Sequence, residues 1–122
     1  LYGLMEGLVQ ADLAYLYAHP DTPLLYESGV EYREEPPGRE IWADIGCVLS
    51  ARQGDCDDLV GWRIAELRLS GDDPGAKPYF RAYPRTCAVL EGGPCTTYHV
   101  VVRRSDGREE DPSLRLGMRL TA

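Results

Sequence analysis

The hydrophobic period of this chain changes once, at the turn Asp72-Asp73-Pro74-Gly75. Before it, apolar residues recur at helical spacing; after it, they gather in strand-like runs. Leu4, Leu8, Val9, Ala11 and Leu16 mark a helix from Leu1 to Ala18, ended by Pro20. Trp42, Ile45 and Leu49 mark a short helix over Ile41 to Ser50. Val60, Ile64 and Leu67 fall on one face of a third, from Asp57 to Leu69, with Gly71 as its stop. Leu24-Leu25-Tyr26 and Val30-Glu31-Tyr32 are irregular apolar pieces, and Glu34 to Arg39 reads as a surface loop.

After the turn, Pro78 to Leu90 reads as an irregular or edge strand, because Pro84 interrupts it. Thr96 to Val102 is the strongest strand signal in the chain. Ser105-Asp106-Gly107 favours a hairpin that returns through Arg108 to Asp111. Leu114, Leu116 and Met118 then cover one edge. Helices followed by an antiparallel sheet predict an α+β fold. A length of 122 residues predicts one domain, 1–122.

The net charge of −7 argues against nucleic acid as a partner, since neutralising phosphates takes clustered cations and the longest basic cluster is Arg103-Arg104. No apolar run reaches the length of a membrane span, and no basic n-region marks a signal peptide. The expected location is therefore cytoplasmic.

The four cysteines Cys47, Cys56, Cys87 and Cys95 are separated by 9, 31 and 8 positions. Zinc sites use a tighter pair, so no metal is expected. Cys87 and Cys95 flank Glu91-Gly92-Gly93-Pro94, a turn that could bring them together as a disulfide. Without a secretion signal the reduced state is favoured. Cys47, among Ile45, Val48 and Leu49, reads as a small core residue.

Cys56 is different, because Gly54-Asp55-Cys56-Asp57-Asp58 puts it at the mouth of the third helix. Unpaired N–H groups there favour thiolate, the form that attacks carbonyls. The neighbouring Asp carboxylates oppose this, so a base is needed. For Asp55, Asp57 and Asp58, first-turn capping and salt bridges to Arg52 or Arg63 fit better than a calcium loop, whose Gly and terminal Glu are missing.

Of the two histidines, His19 ends the first helix and suits its terminal carbonyls. His99 sits in the strongest strand, a rigid platform for a base, with a hydrogen-bonded strand histidine as the alternative. Its orienting acceptor would come from the returning strand. With Asp106-Gly107 as the turn centre, Val102 opposes Asp111, and an offset is needed to reach His99. Glu109 and Glu110 are substitutes for that acceptor, though solvated edge charge suits them better.

The Gly54-to-Leu59 box on an amphipathic helix with Arg68, the strand Tyr98 to Val102, and Glu110-Asp111-Pro112-Ser113 together resemble the transglutaminase-like superfamily of the papain-like fold. The likeness covers roughly Trp42 to Met118, with Val100 where the family usually has an aromatic. It implies a cysteine-bearing helix packed on a small antiparallel sheet. It also implies a triad of Cys56, His99 and Asp111, no cofactor, and a cleft that is shallow in so short a chain. The oxyanion would be held by the backbone N–H of Cys56 and by Trp42 or Gln53. The implied chemistry is acyl transfer on an amide or ester of a protein or peptide, ended by water or by an amine. Short members also accompany tailed-phage gene sets, which leaves an assembly or virion role for an inactive domain as the alternative. The aromatic segment Tyr79-Phe80 to Tyr83 would suit such a protein partner.

Overall fold

The computed structural model describes residues 2–34, 42–87 and 93–118, with backbone alone for 82–87 and 93–97. The predicted loop at Glu34 to Arg39 lies outside these residues beyond Glu34, as do Ile41 and the connection around Glu91. The elements are α1 (Tyr2–Ala18), a 3-10 turn (Leu25–Glu27), β1 (Glu31–Tyr32), α2 (Ile45–Ala51), β2 (Gln53–Gly54) and α3 (Cys56–Ser70). They continue with β3 (Lys77–Cys87), β4 (Gly93–Arg103), β5 (Glu109–Glu110) and α4 (Pro112–Arg115). Helices precede an antiparallel sheet of order β3-β4-β5, as the change of period requires. A second, two-stranded sheet pairs β1 with β2 in parallel.

α3 is the element the others pack around. Val60, Ile64 and Leu67, the face read from the sequence, join Met5, Leu8 and Val9 of α1 and Val100 and Val102 of β4 in one apolar cluster. Leu59, Trp62 and Ala65, on the other side of the same helix, join Leu16, Leu25, Val30, Ile45 and Val48 in a second. A helix apolar nearly all round is one buried on both sides.

Its ends are fixed by local chemistry. Asp55 is the N-cap, its side chain accepting from Asp58 N–H, while the Asp58 carboxylate accepts from Asp55 N–H. This reciprocal box closes two N-terminal donors. Gly71 ends the helix at φ 81°, in the left-handed region where glycine avoids a Cβ clash.

Several expectations are corrected. Leu8, Val9 and Leu16 of the α1 stripe are buried as expected, but Leu4 is 65% exposed and Ala11 is exposed, and Met5 and the fully buried Asp12 complete the face instead. α2 begins at Ile45 behind the N-cap Asp44, so Trp42 precedes it. Cys47 is exposed: two residues on from Ile45 is the far side of a helix. β3 runs as a regular partner of β4 despite Pro84, because it is an edge strand whose outer side needs no donor. Phe80 packs on the first cluster and meets Tyr2 edge-on, and Arg103 lies over Tyr79, so neither is the free aromatic surface expected.

After Asp111 the chain turns into α4 instead of laying apolar residues along an edge, and Leu114 is 41% exposed. Glu110 is enclosed by Arg63, Arg104 and the Tyr26 hydroxyl, whereas Glu109 does pair at the edge, with Arg81 and Arg103. Arg63 pairs with Glu66 and Glu110, so Asp58 takes its contacts from backbone amides. The register sets Cys87 opposite Gly93 and Cys95 opposite Arg85; a disulfide between the two cysteines lies outside the described side chains.

Candidate functional site

The site lies where the β4–β5 ladder stops. The loop at residues 105–107 is one residue longer than a turn centred on Asp106-Gly107. Gly107 N–H returns to the Arg104 carbonyl, and Gly107 itself stands at φ 91°. This is the three-residue hairpin ending in a left-handed residue. Its register pairs Val102 with Glu110, where the sequence reading paired Val102 with Asp111. Only Glu109 and Glu110 pair with β4, so the same edge is open from Val101 back toward His99.

Asp111 is the first residue beyond that ladder. One carboxylate oxygen caps α4, accepting from Ser113 N–H at 3.1 Å and Leu114 N–H at 3.3 Å. The other meets His99 Nε2 at 2.8 Å, with both side chains mostly enclosed. The offset needed to reach His99 is thus supplied by the shifted register and by the turn into α4. Pairing Nε2 with a carboxylate leaves Nδ1 as the ring nitrogen that can exchange a proton with a neighbour.

Cys56 reaches the same edge from α3. Phe80 N–H points off the outer side of β3, where it donates to the Tyr2 hydroxyl at 3.1 Å. Phe80 opposes Val100, so this is a pair whose N–H groups both point away from each other's strand. Val100 N–H therefore points to the open edge, and it donates to the Cys56 thiol, as does Asp57 N–H. The α3 thiol thus meets the β4 edge at Val100, the residue after His99, and among the described residues no hydrogen bond is found between thiol and imidazole.

The thiol is half-buried, packed against the first apolar cluster together with Trp42. Burial and the Asp57 and Asp55 carboxylates push its pKa up to about 12, against the two amide donors. The expected thiolate at the helix mouth is thus corrected to a neutral thiol, because desolvation and two acids outweigh the helix end.

Asp58 fastens the surroundings. Its second oxygen accepts from Ala43 N–H at 2.8 Å, which ties the Trp42-Ala43 segment to the start of α3. Burial and the neighbouring Asp55 carboxylate push its carboxyl up to about 8. Gln53 is exposed and accepts from Arg33 at 3.3 Å. A cavity of about 220 Å³ opens at this helix end, lined among others by Arg33, Gln53, Asp55 and Asp58. It is small beside ordinary ligand sites, which run from roughly 300 Å³ upward. His19 stays at the end of α1, with Nδ1 2.9 Å from the Tyr15 carbonyl.

Among the described residues no group of three or more His, Cys, Asp or Glu is arranged to hold a metal ion, and no helix is long and apolar enough to cross a membrane. The sequence reading placed Asp55 among the helix-start acids, and it is the N-cap; Asp12 was missed, because its burial depends on tertiary packing. No family model, no curated protein and no solved structure matches the chain.

Proposed function

We propose that this chain is a thiol-dependent acyl-transfer enzyme of transglutaminase-like type, acting on an amide or ester of a protein or peptide. The observation that carries the reading is the Asp111–His99 hydrogen bond at the open end of β4, beside the residue whose N–H binds the Cys56 thiol. In this reading a helix start supplies the nucleophile, a strand the base and a helix cap the acid that orients the base.

In this mechanism the neutral thiol loses its proton to His99 Nδ1 as sulfur bonds to the carbonyl carbon. The carbonyl π electrons move to oxygen. Asp111 at Nε2 stabilises the imidazolium. When the tetrahedral intermediate collapses, the bond to the leaving nitrogen or oxygen breaks, and the imidazolium returns the proton to that atom. Water then attacks the thioester by the same route, releasing the acid and restoring the thiol. An amine in place of water would give transamidation, and hydrolysis is the simpler course because amine transfer requires a second binding site.

A second reading, a structural domain of a larger assembly, is favoured by the thiol itself: it is desolvated, neutral and hydrogen-bonded to backbone amides. The deciding experiment is mass spectrometry after incubation with ester and amide probes. Acyl transfer gives an adduct on Cys56 that is absent in Cys56→Ala and strongly slowed in His99→Ala. A wild-type chain that stays unmodified under saturating probe overturns the enzyme reading.

A further inference from the structure

The residue before Asp111 is gripped by three side chains. Arg63 of α3 donates from Nε to one Glu110 carboxylate oxygen at 2.6 Å, and the Tyr26 hydroxyl donates to the same oxygen. Arg104, one residue past β4, donates from Nη1 to the other oxygen at 2.7 Å. Each arginine is itself held from behind, Arg63 by Glu66 at 2.9 Å and Arg104 by Asp73 at 2.8 Å. Arg115 of α4, the helix that Asp111 caps, lies over the Tyr26 ring at 4.0 Å. Burial works against the charge on Glu110, yet the hydrogen bonds from Arg63 and Tyr26 hold its carboxyl below its ordinary value.

A largely enclosed ionic cluster adds little to stability, since desolvating the charges costs about what their attraction returns; its best-attested use is to select one register. This hairpin has a register to select. β5 is only two residues long, so its own ladder fixes it weakly. A one-residue slip, the pairing of Val102 with Asp111 that a two-residue loop would give, would turn Glu110 to the opposite face, away from Arg63. It would also draw Asp111 into the ladder. The grip on Glu110 is made only in the register that leaves Asp111 beyond the ladder, 2.8 Å from His99.

We infer that Glu110 is a positioning residue of the proposed acyl transfer: clamped by Arg63, Arg104 and Tyr26, it fixes the register of β5 and so sets the Asp111 carboxylate against His99. The role rests on the acyl-transfer reading, and Glu110 acts only through Asp111.

The test is Glu110→Gln, which keeps the length of the side chain and strands neither arginine, since Arg63 retains Glu66 and Arg104 retains Asp73. Three readouts are compared with wild type: Cys56-dependent acylation by p-nitrophenyl acetate, the NOE between the His99 ring and the Asp111 Hβ protons, and alkylation of Cys56 by iodoacetamide at pH 9. Acylation should fall roughly 10- to 100-fold, because a misplacement of about 1 Å far from the chemistry can cost that much. The NOE should be lost, and alkylation, which does not call on Asp111, should stay within about twofold. Arg63→Lys, which keeps the charge and loses the fork, should move the first two readouts in the same direction by less. Unchanged acylation with an intact NOE overturns the role. A fall in acylation with the NOE intact, or an equal fall in alkylation, also overturns it, since Glu110 would then act elsewhere than through Asp111. If wild-type ester turnover equals that of Cys56→Ala, the acyl-transfer reading itself fails and takes the catalytic role with it, while the NOE still decides whether Glu110 places Asp111.

Discussion

His99 and Asp111 stand 12 positions apart in the chain, and their side chains meet at 2.8 Å because β5 ends one residue before Asp111. The acid serves two structures with two oxygens. One holds the imidazole and the other caps α4.

Substitution at Asp111 should separate these duties. Asn retains an oxygen for the Ser113 and Leu114 amides but turns an NH₂ toward Nε2, which forces the wrong tautomer. Asp111→Asn should therefore lose about 100-fold or more in ester turnover while its urea midpoint hardly moves. Asp111→Ala should lose the same activity and, in addition, about 1 kcal/mol of stability from the missing cap. Equal urea midpoints for the two variants would refute the assigned capping role.

The sequence showed the order of elements and which residue types could form the proposed site, because period and residue type are local properties. It showed less of how they meet. The hairpin register depended on whether Gly107 closed a two- or three-residue loop, a choice of one residue that decides which acid stands next to His99. Part of the α1 face was misread because Asp12 lies in it, and no hydropathy argument buries an isolated carboxylate. The neutral state of Cys56 was likewise illegible: the helix start and the acids pull in opposite directions, and only the depth of burial settles which prevails.

Asp12 gives the stability of this protein an unusual pH dependence. It is fully enclosed, accepts from Ile45 N–H at 2.9 Å with one oxygen, and has no partner for the other. Desolvation, with Asp44 adding to it, pushes it up to about 7 from an ordinary value of 3.8. The folded state then binds more protons than the unfolded state between these values, so stability falls as pH rises through that window and stays lower above it. Asp58, pushed up to about 8, acts in the same direction and extends the window. Asp12→Asn should flatten the slope between pH 4 and 7, and at pH 8 it should be more stable than wild type by on the order of 2 kcal/mol. Urea titrations across that range measure it, and a wild-type curve that rises toward neutral pH with the same slope as the variant's would refute it.

The contact between α1 and α3 is closed by Gly61. A Cβ there would stand 3.0 Å from Asp12 Oδ2 and from two atoms of Leu8. Alanine would gain up to about 1 kcal/mol of helix propensity, but both neighbours are buried and have little room to retreat. Overpacking of this kind costs about 1–3 kcal/mol. Gly61→Ala is accordingly expected to destabilise by about 1 kcal/mol or more, and a higher melting temperature in thermal denaturation would contradict the tight packing described.

The neutral Cys56 thiol makes the most direct claim on the resting site. A preformed thiolate–imidazolium pair would alkylate at a rate independent of pH between about 5 and 8. A thiol pushed up to about 12 by burial and Asp57 should instead react slowly at neutral pH. Its rate should rise close to tenfold per pH unit up to at least pH 10, because the thiolate fraction does so below the pKa. Asp57→Asn removes the largest charge opposing ionisation and should accelerate the reaction several-fold at pH 9 while leaving Asp55 and Asp58 to cap the helix. Iodoacetamide labelling followed by peptide mapping reads this residue by residue and keeps Cys56 apart from exposed Cys47. A plateau below pH 8, or no response to Asp57→Asn, would mean that the imidazole already holds the thiol proton, and catalysis would then start from the ion pair and not from proton transfer concerted with attack.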